Sequence, residues 1–126
     1  MPMDSMDSDH ASKQFNTPPD KSSIYLYRNE NFGGAILMTV TLDGRVAGQT
    51  GPKTYFHWVV DPGQHEISSI AENTSTLILN TKPGESYYIW QEVKMGLWMA
   101  RSLLQQMDTP TGQAGVLECK KAHSNL

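Results

Sequence analysis

Thr54-Tyr55-Phe56-His57-Trp58-Val59-Val60-Asp61-Pro62-Gly63-Gln64-His65-Glu66-Ile67-Ser68-Ser69 is the stretch on which the fold turns. A run of β-branched and aromatic residues meets Asp-Pro-Gly and then resumes, which is the pattern of two strands around a turn. Alternation puts Phe56, Trp58 and Val60 on one face and Tyr55, His57 and Val59 on the other. With Asp61–Gln64 as the loop, Val60 pairs with His65, Trp58 with Ile67 and Phe56 with Ser69, so large apolar groups meet. A loop one residue different would set Trp58 against Ser68, a poorer match.

The same signals recur outward from this stretch. Leu42-Asp43-Gly44-Arg45 turns a strand in which Ile36, Met38, Val40 and Leu42 face the core, and Arg45 to Gln49 returns it. Lys82-Pro83-Gly84-Glu85 predicts a further hairpin, with Leu79 opposite Tyr88, Leu77 opposite Trp90, and Ile78 meeting Ile89. Trp58, Trp90, Leu77, Leu79 and Tyr88 form the expected centre of the core. Turns at such short spacing predict an all-β fold, an antiparallel β-sandwich with a short C-terminal helix.

Order should begin at Ser22-Ser23-Ile24-Tyr25-Leu26-Tyr27-Arg28, rich in β-formers. Before it, residues 1–21 have little apolar content and contain Pro18-Pro19, and read as a flexible leader or tether, with 22–126 as the sandwich domain. Residues 97–108 are ambiguous. Leu97, Ala100, Leu104 and Met107 fit a helical stripe, while Leu97, Met99, Leu103 and Met107 fit a strand. Their place after a long strand and a glycine favours a hairpin partner. Gln113 to Ala122 reads as the terminal helix, with lysines near its C-terminal end.

The chain has 126 residues and a formal net charge of −3. Asp4, Asp7, Asp9 and Asp20 outnumber Lys13 and Lys21 by two, so most of the acidity precedes Ser22. So small a charge gives no reason to expect nucleic acid as a partner. Cys119 is the only cysteine, which excludes an internal disulfide. The first ten residues are polar and acidic rather than basic and then apolar, so no signal peptide is read in this sequence. No apolar stretch is long enough to cross a bilayer.

Chemistry is sparse. His57 and His65 point to opposite faces of their expected hairpin and cannot share a metal, and His65 reads as a hydrogen-bonded rim residue. Cys119 lies in Leu-Glu-Cys-Lys-Lys, where lysines could activate it, against the commoner reading of a small packed side chain. Glu92 and Arg101 could form a half-buried ion pair, but no second acid can be placed for a hydrolase. The Asn73-Thr74-Ser75 sequon carries little weight on its own. No nucleophile elbow, phosphate loop or His-Glu-x-x-His motif is present. These observations favour a protein without catalytic residues, metal or cofactor. Tyr25, Tyr27, Tyr55, His57 and Tyr87 are expected on outer sheet faces and form a candidate binding surface.

Taken in order, Ile24-Tyr25-Leu26-Tyr27-Arg28, Val40-Thr41-Leu42-Asp43-Gly44, Val60-Asp61-Pro62-Gly63-Gln64-His65, Lys82-Pro83-Gly84-Glu85-Ser86-Tyr87-Tyr88 and Val93-Lys94-Met95-Gly96 resemble a known pattern. It is that of the bacterial domain-of-unknown-function family numbered twenty-eight forty-six, small proteins commonly encoded as envelope lipoproteins. The similarity runs from Ser22 to about Lys121. The Val-Asp-Pro-Gly-Gln-His turn is also similar to the surface β-modules called PEGA domains. The resemblance implies a transthyretin-like or immunoglobulin-like sandwich, and a precursor with a signal peptide and a lipid-bearing cysteine ahead of this sequence. It implies a place on the periplasmic side of a bacterial membrane, the leader acting as tether, and another envelope protein as partner. The family brings no catalytic residues. The chain is therefore expected to be a non-enzymatic interaction or structural module. The alternative is a module that binds a small ligand, glycan or lipid, through exposed aromatics; an enzyme using Cys119, or Glu92 with Arg101, ranks last.

Overall fold

The computed structural model describes residues 2–30, 36–95 and 100–126. Its organising element is β1, Ser22–Arg28, in which all seven residues are buried. A strand buried on both faces belongs in the middle of a covered sheet. On one side β1 pairs antiparallel with β4 (Thr54–Val60), Ile24 opposite Trp58. On the other it pairs parallel with β7 (Ser86–Met95), Tyr25 opposite Tyr88. Then β8 (Ala100–Met107) adds antiparallel to β7, and the two-residue β9 (Lys120–Lys121) adds parallel to β4. The resulting order is β8-β7-β1-β4-β9. Facing it is a four-stranded antiparallel sheet, β3-β2-β5-β6, built from β2 (Met38–Leu42), β3 (Arg45–Thr50), β5 (Gly63–Ile70) and β6 (Thr74–Thr81).

The all-β sandwich is as expected, and so is the hairpin at Asp43-Gly44. Both turn residues take positive φ, 52° and 80°, as a two-residue turn of the primed kind requires. Met38, Val40 and Leu42 are buried on the core side. The strand reading of the segment after Gly96 also holds, since β8 is the hairpin partner of β7; residues 96–99 lie outside the described part.

Two expected hairpins are corrected. β4 and β5 do not pair, nor do β6 and β7; each pair is split between the two sheets. Asp61-Pro62 and Lys82–Glu85 are arches that carry the chain across the core. Trp58 and Ile67 do meet in one cluster, but face to face across the sandwich rather than side by side in a ladder. Facing residues across a core and opposing residues in a hairpin satisfy the same apolar pairing rule, so apolar pairing alone does not tell them apart.

The inter-sheet core contains Ile24, Leu26, Val40, Phe56, Trp58, Ile67, Leu79 and Ile89, with Leu77 packed against it. Trp90 and Tyr88 are not part of it. They project from the opposite face of the five-stranded sheet into a second cluster with Tyr25, Tyr27, Tyr55, Val116 and Cys119. A polar chain also threads between the sheets. Thr50 Oγ1 donates to Gln91 Oε1 at 2.6 Å, Gln91 Nε2 donates to Ser69 Oγ at 2.7 Å, and buried Arg28 donates to the Thr50 carbonyl at 2.9 Å and pairs with Glu30. Hydrogen bonds this short and buried fix how the two sheets stack.

Both lateral openings of the sandwich are closed. Asn73 grips the backbone of Ser102, accepting from its N–H and donating to its carbonyl, each at 2.9 Å, and Ser75 Oγ accepts from Leu104 N. At the other side the C-terminal residues bridge the sheets, Ala122 N donating to Tyr55 O and Asn125 N to Ala47 O. Such contacts blunt the edge strands.

The second helix, α2, spans Thr109–Leu117 rather than Gln113 to Ala122. Asp108 caps it, accepting from Thr111 N at 2.8 Å, and Pro110 sits in its first turn. The lysines expected at its end belong to β9 instead. The leader is not a free tether: residues Met6–Ser12 form α1, capped by Ser5, and lie on the five-stranded sheet.

Candidate functional site

The outer face of the five-stranded sheet is aromatic. Alternation in β1, β4 and β7 turns Tyr25, Tyr27, Tyr55, His57, Tyr88 and Trp90 away from the core. Tyr25 stacks on His57 with ring centroids 4.1 Å apart and on Tyr88 at 5.3 Å. Four of the five residues of the expected binding surface are thus brought together, but under cover. Tyr25, Tyr27 and Tyr55 are buried, and His57 is largely so. Tyr87 points to the core side, packs on the inter-sheet cluster, and spends its hydroxyl on Lys82 N and Glu85 at the arch.

The cover on one side is α1. Tyr25 Oη donates to Ser12 O at 2.7 Å, Tyr55 Oη donates to Asp9 Oδ1 at 2.7 Å, and the His57 ring nitrogens lie 2.8 Å from Ser12 Oγ and 3.2 Å from Ser23 Oγ. Two of the four aspartates of the leader are used here. Asp9 pairs with Lys13 at 3.1 Å and Asp4 with Lys121 at 3.6 Å, while Lys13 Nζ donates to Cys119 O. Phe15 closes the layer, 5.3 Å from Tyr25 and 6.0 Å from Tyr88.

An acid response follows from this cover. Unfolded histidine titrates near 6.5, whereas burial, reinforced by the Lys121 ammonium, holds His57 down to about 4. The unfolded chain therefore binds more protons between these values, and His57 withdraws on the order of 3 kcal/mol of stability as pH falls through the window. His57→Asn should flatten that slope. Urea midpoints at about pH 7 and about pH 4.5 check it, and equal acid losses in both proteins would refute it.

The other cover is α2, seated through two glycines. A Cβ on Gly112 would lie 2.1 Å from Tyr88 Cβ, and one on Gly115 would lie 2.2 Å from Tyr27 Cε2. Beneath the end of the helix Cys119 is buried, its thiol within reach of the Gly115 and Arg28 carbonyls, and burial pushes it up to about 12. It is a packed side chain, and the lysines beside it do not turn it into a thiolate. The expected Glu92–Arg101 pair is not formed. The β7–β8 register sets Glu92 opposite Leu103 and Arg101 opposite Lys94. Glu92 takes a hydrogen bond from Gln105, and Arg101 faces Glu72 at 4.0 Å. His57 and His65 sit on different sheets. His65 is the rim residue expected, bonded to Asp43 Oδ2 at 2.6 Å and Asp61 O at 2.7 Å. Burial opposes its protonation, but these acceptors outweigh burial and raise its pKa.

The four-stranded sheet is the reverse case. Its outer face carries the cross-strand rows Gln49-Thr39-Ile70-Thr74 and Val46-Thr41-Ser68-Thr76, then Glu66-Ile78 and Gln64-Asn80. No helix or strand of the described residues lies over it. Val46, Ile70 and Ile78 are 55%, 42% and 48% exposed, and Glu66 is the one charge in these rows. Nothing in the sequence marked this face, because Thr and Ser are ordinary strand residues.

The family described as a protein of unknown function (DUF2846) matches residues 18–102, from just before β1 into β8. The chain belongs to DUF2846. An uncharacterized protein of Haemophilus influenzae is similar to it, 28% identical over 127 residues that cover 99% of this chain and 76% of the relative. No solved structure matches. The DUF2846 segment contains the four-stranded sheet and β1, β4 and β7 of the other, but neither α1 nor α2, so the helices covering the aromatic layer lie outside it. No helix among the described residues is long and apolar enough to cross a membrane.

Proposed function

We propose that this DUF2846 domain is a non-catalytic interaction module of the bacterial cell envelope, and that another envelope protein docks on the bare face of the four-stranded sheet. The observation that carries this reading is the unequal cover of the two sheets. One outer face is roofed by two helices; the other leaves β-branched and hydroxyl side chains in rows, nearly without charge, as a protein-binding patch does. The groups capable of chemistry support it too. The Cys119 thiol, His57 and the Tyr25 and Tyr55 hydroxyls are engaged in packing and in holding α1. The envelope setting is supported by the resemblance to envelope lipoproteins. Met6–Ser12 is docked on the sheet, so this part of the leader adds little reach as a tether.

A photo-crosslinking residue at Thr41 or Ile78 tests the reading in cells of the source bacterium, with Leu117 on α2 as control site. Both sheet positions should give the same adduct and Leu117 none, and Ile78→Lys should abolish the adduct formed from Thr41. Equal labelling from Leu117, or none from the sheet in a folded protein, overturns the assignment.

A further inference from the structure

The roof over the aromatic layer is incomplete. Beside α2, where it passes over β1 and β7, a groove of about 460 Å³ remains open, lined by Tyr27, Asn29, Trp90, Met107, Ala114 and Glu118. We propose that this groove binds one pyranose ring of an uncharged glycan, stacked on the Trp90 indole.

The argument is one of matching groups. Trp90 is half-buried in the second cluster, so part of its ring lies open to the groove. Tyr27 is 2% exposed, yet its hydroxyl makes no hydrogen bond among the described residues, and neither does Trp90 Nε1. Trp58 Nε1, by contrast, is spent on Ser124. Gly115 packs flat on the Cε2–Cζ edge of Tyr27, so α2 covers much of the ring while Tyr27 still borders the groove. At the rim Asn29 donates to Glu118 Oε2 at 3.0 Å, which leaves the other carboxylate oxygen as an acceptor.

A pyranose offers an apolar C–H face to an indole and hydroxyls around its edge for an N–H, an O–H and a carboxylate. The volume lies in the range of small-ligand sites. A purely apolar occupant would strand the Tyr27 and Trp90 donors away from water, which is costly. An anionic one would meet Glu118, with Asp108 also close enough to Tyr27 to bear on its hydroxyl. The site lies on the opposite sheet from the proposed protein-docking face, so either assignment can fail alone.

Chitobiose, maltose and glucuronate are titrated into nitrogen-labelled protein while the indole N–H signals are followed, that of Trp90 being assigned by its loss in Trp90→Phe. Chitobiose or maltose should move the Trp90 signal and leave that of Trp58 in place; glucuronate should not. Ala114→Leu fills the groove from an exposed helix position and should weaken binding at least about tenfold in an otherwise unchanged spectrum. A Trp90 signal that stays fixed with both neutral sugars, that responds equally to glucuronate, or that titrates with unchanged affinity in Ala114→Leu overturns the proposal. So does displacement by an amphipathic peptide with no response to sugar, which would make the groove a protein contact.

Discussion

Deleting residues 2–16 lowers the stability of this domain by about 3–5 kcal/mol, on the order of 10 °C or more in melting temperature. Such a loss would be unexpected for a tether. It follows here because Phe15 packs against both Tyr25 and Tyr88, and because Ser12 and Asp9 accept the hydroxyl hydrogen bonds of Tyr25 and Tyr55. Burial of one phenylalanine is worth about 2 kcal/mol, and each buried hydroxyl bond adds about 1. The deletion also bares Tyr25, Tyr55 and His57, so the truncated protein should bind a hydrophobic dye that the whole chain ignores. Thermal melts with and without the dye check both effects. A truncated chain melting within about 1 °C of the full one would mean that α1 is not held as described.

Gly112→Ala costs about 3 kcal/mol or more, against the sign that helix propensity alone would give. In an exposed helix, alanine for glycine gains about 1 kcal/mol. Here the new methyl would lie 2.1 Å from Tyr88 Cβ and 2.3 Å from its Cγ, atoms that no rotation of the ring can move aside. Either α2 lifts from the sheet or β7 shifts, and overpacking of this kind is strongly destabilising. Gly115→Ala presses on the outer ring atoms of Tyr27 and should cost somewhat less. Chemical denaturation of both variants checks the order. A stabilised Gly112→Ala protein would show that α2 does not lie flat on the tyrosines.

The sandwich class, the Asp43-Gly44 hairpin and the pairing of β7 with β8 were legible in the sequence because each rests on local pattern: alternation, turn chemistry, length. The Asp61-Pro62 and Lys82–Glu85 connections were not, because a proline-glycine turn serves a hairpin and an inter-sheet arch equally well. The outward aromatics misled for a related reason. Tyr25, Tyr27, Tyr55 and His57 do leave the core side of their strands, but what covers them comes from Met6–Ser12 and Thr109–Leu117, far away in sequence. A hint was present in β1, whose two faces are both rich in large apolar side chains. A strand with one face in water needs no Tyr25 and Tyr27 opposite Ile24 and Leu26. The docked leader was hidden by composition: its aspartates read as solvated charge, whereas Asp4 and Asp9 pair with lysines that complete the cover. The terminal helix read from Gln113 starts too late because Gly112, a poor helix former, lies inside α2, where it lets the helix approach the sheet.

The central position of β1 has a consequence for biosynthesis. This strand leaves the ribosome before both of its partners, with seven side chains that are all buried in the fold, and its parallel neighbour is slow to arrive. Ser23 must wait for Ser86 before the parallel ladder can form, an interval of several seconds at ordinary translation rates. Until then β1 lacks one of its two native neighbours, and a holding chaperone would be of most use in that interval.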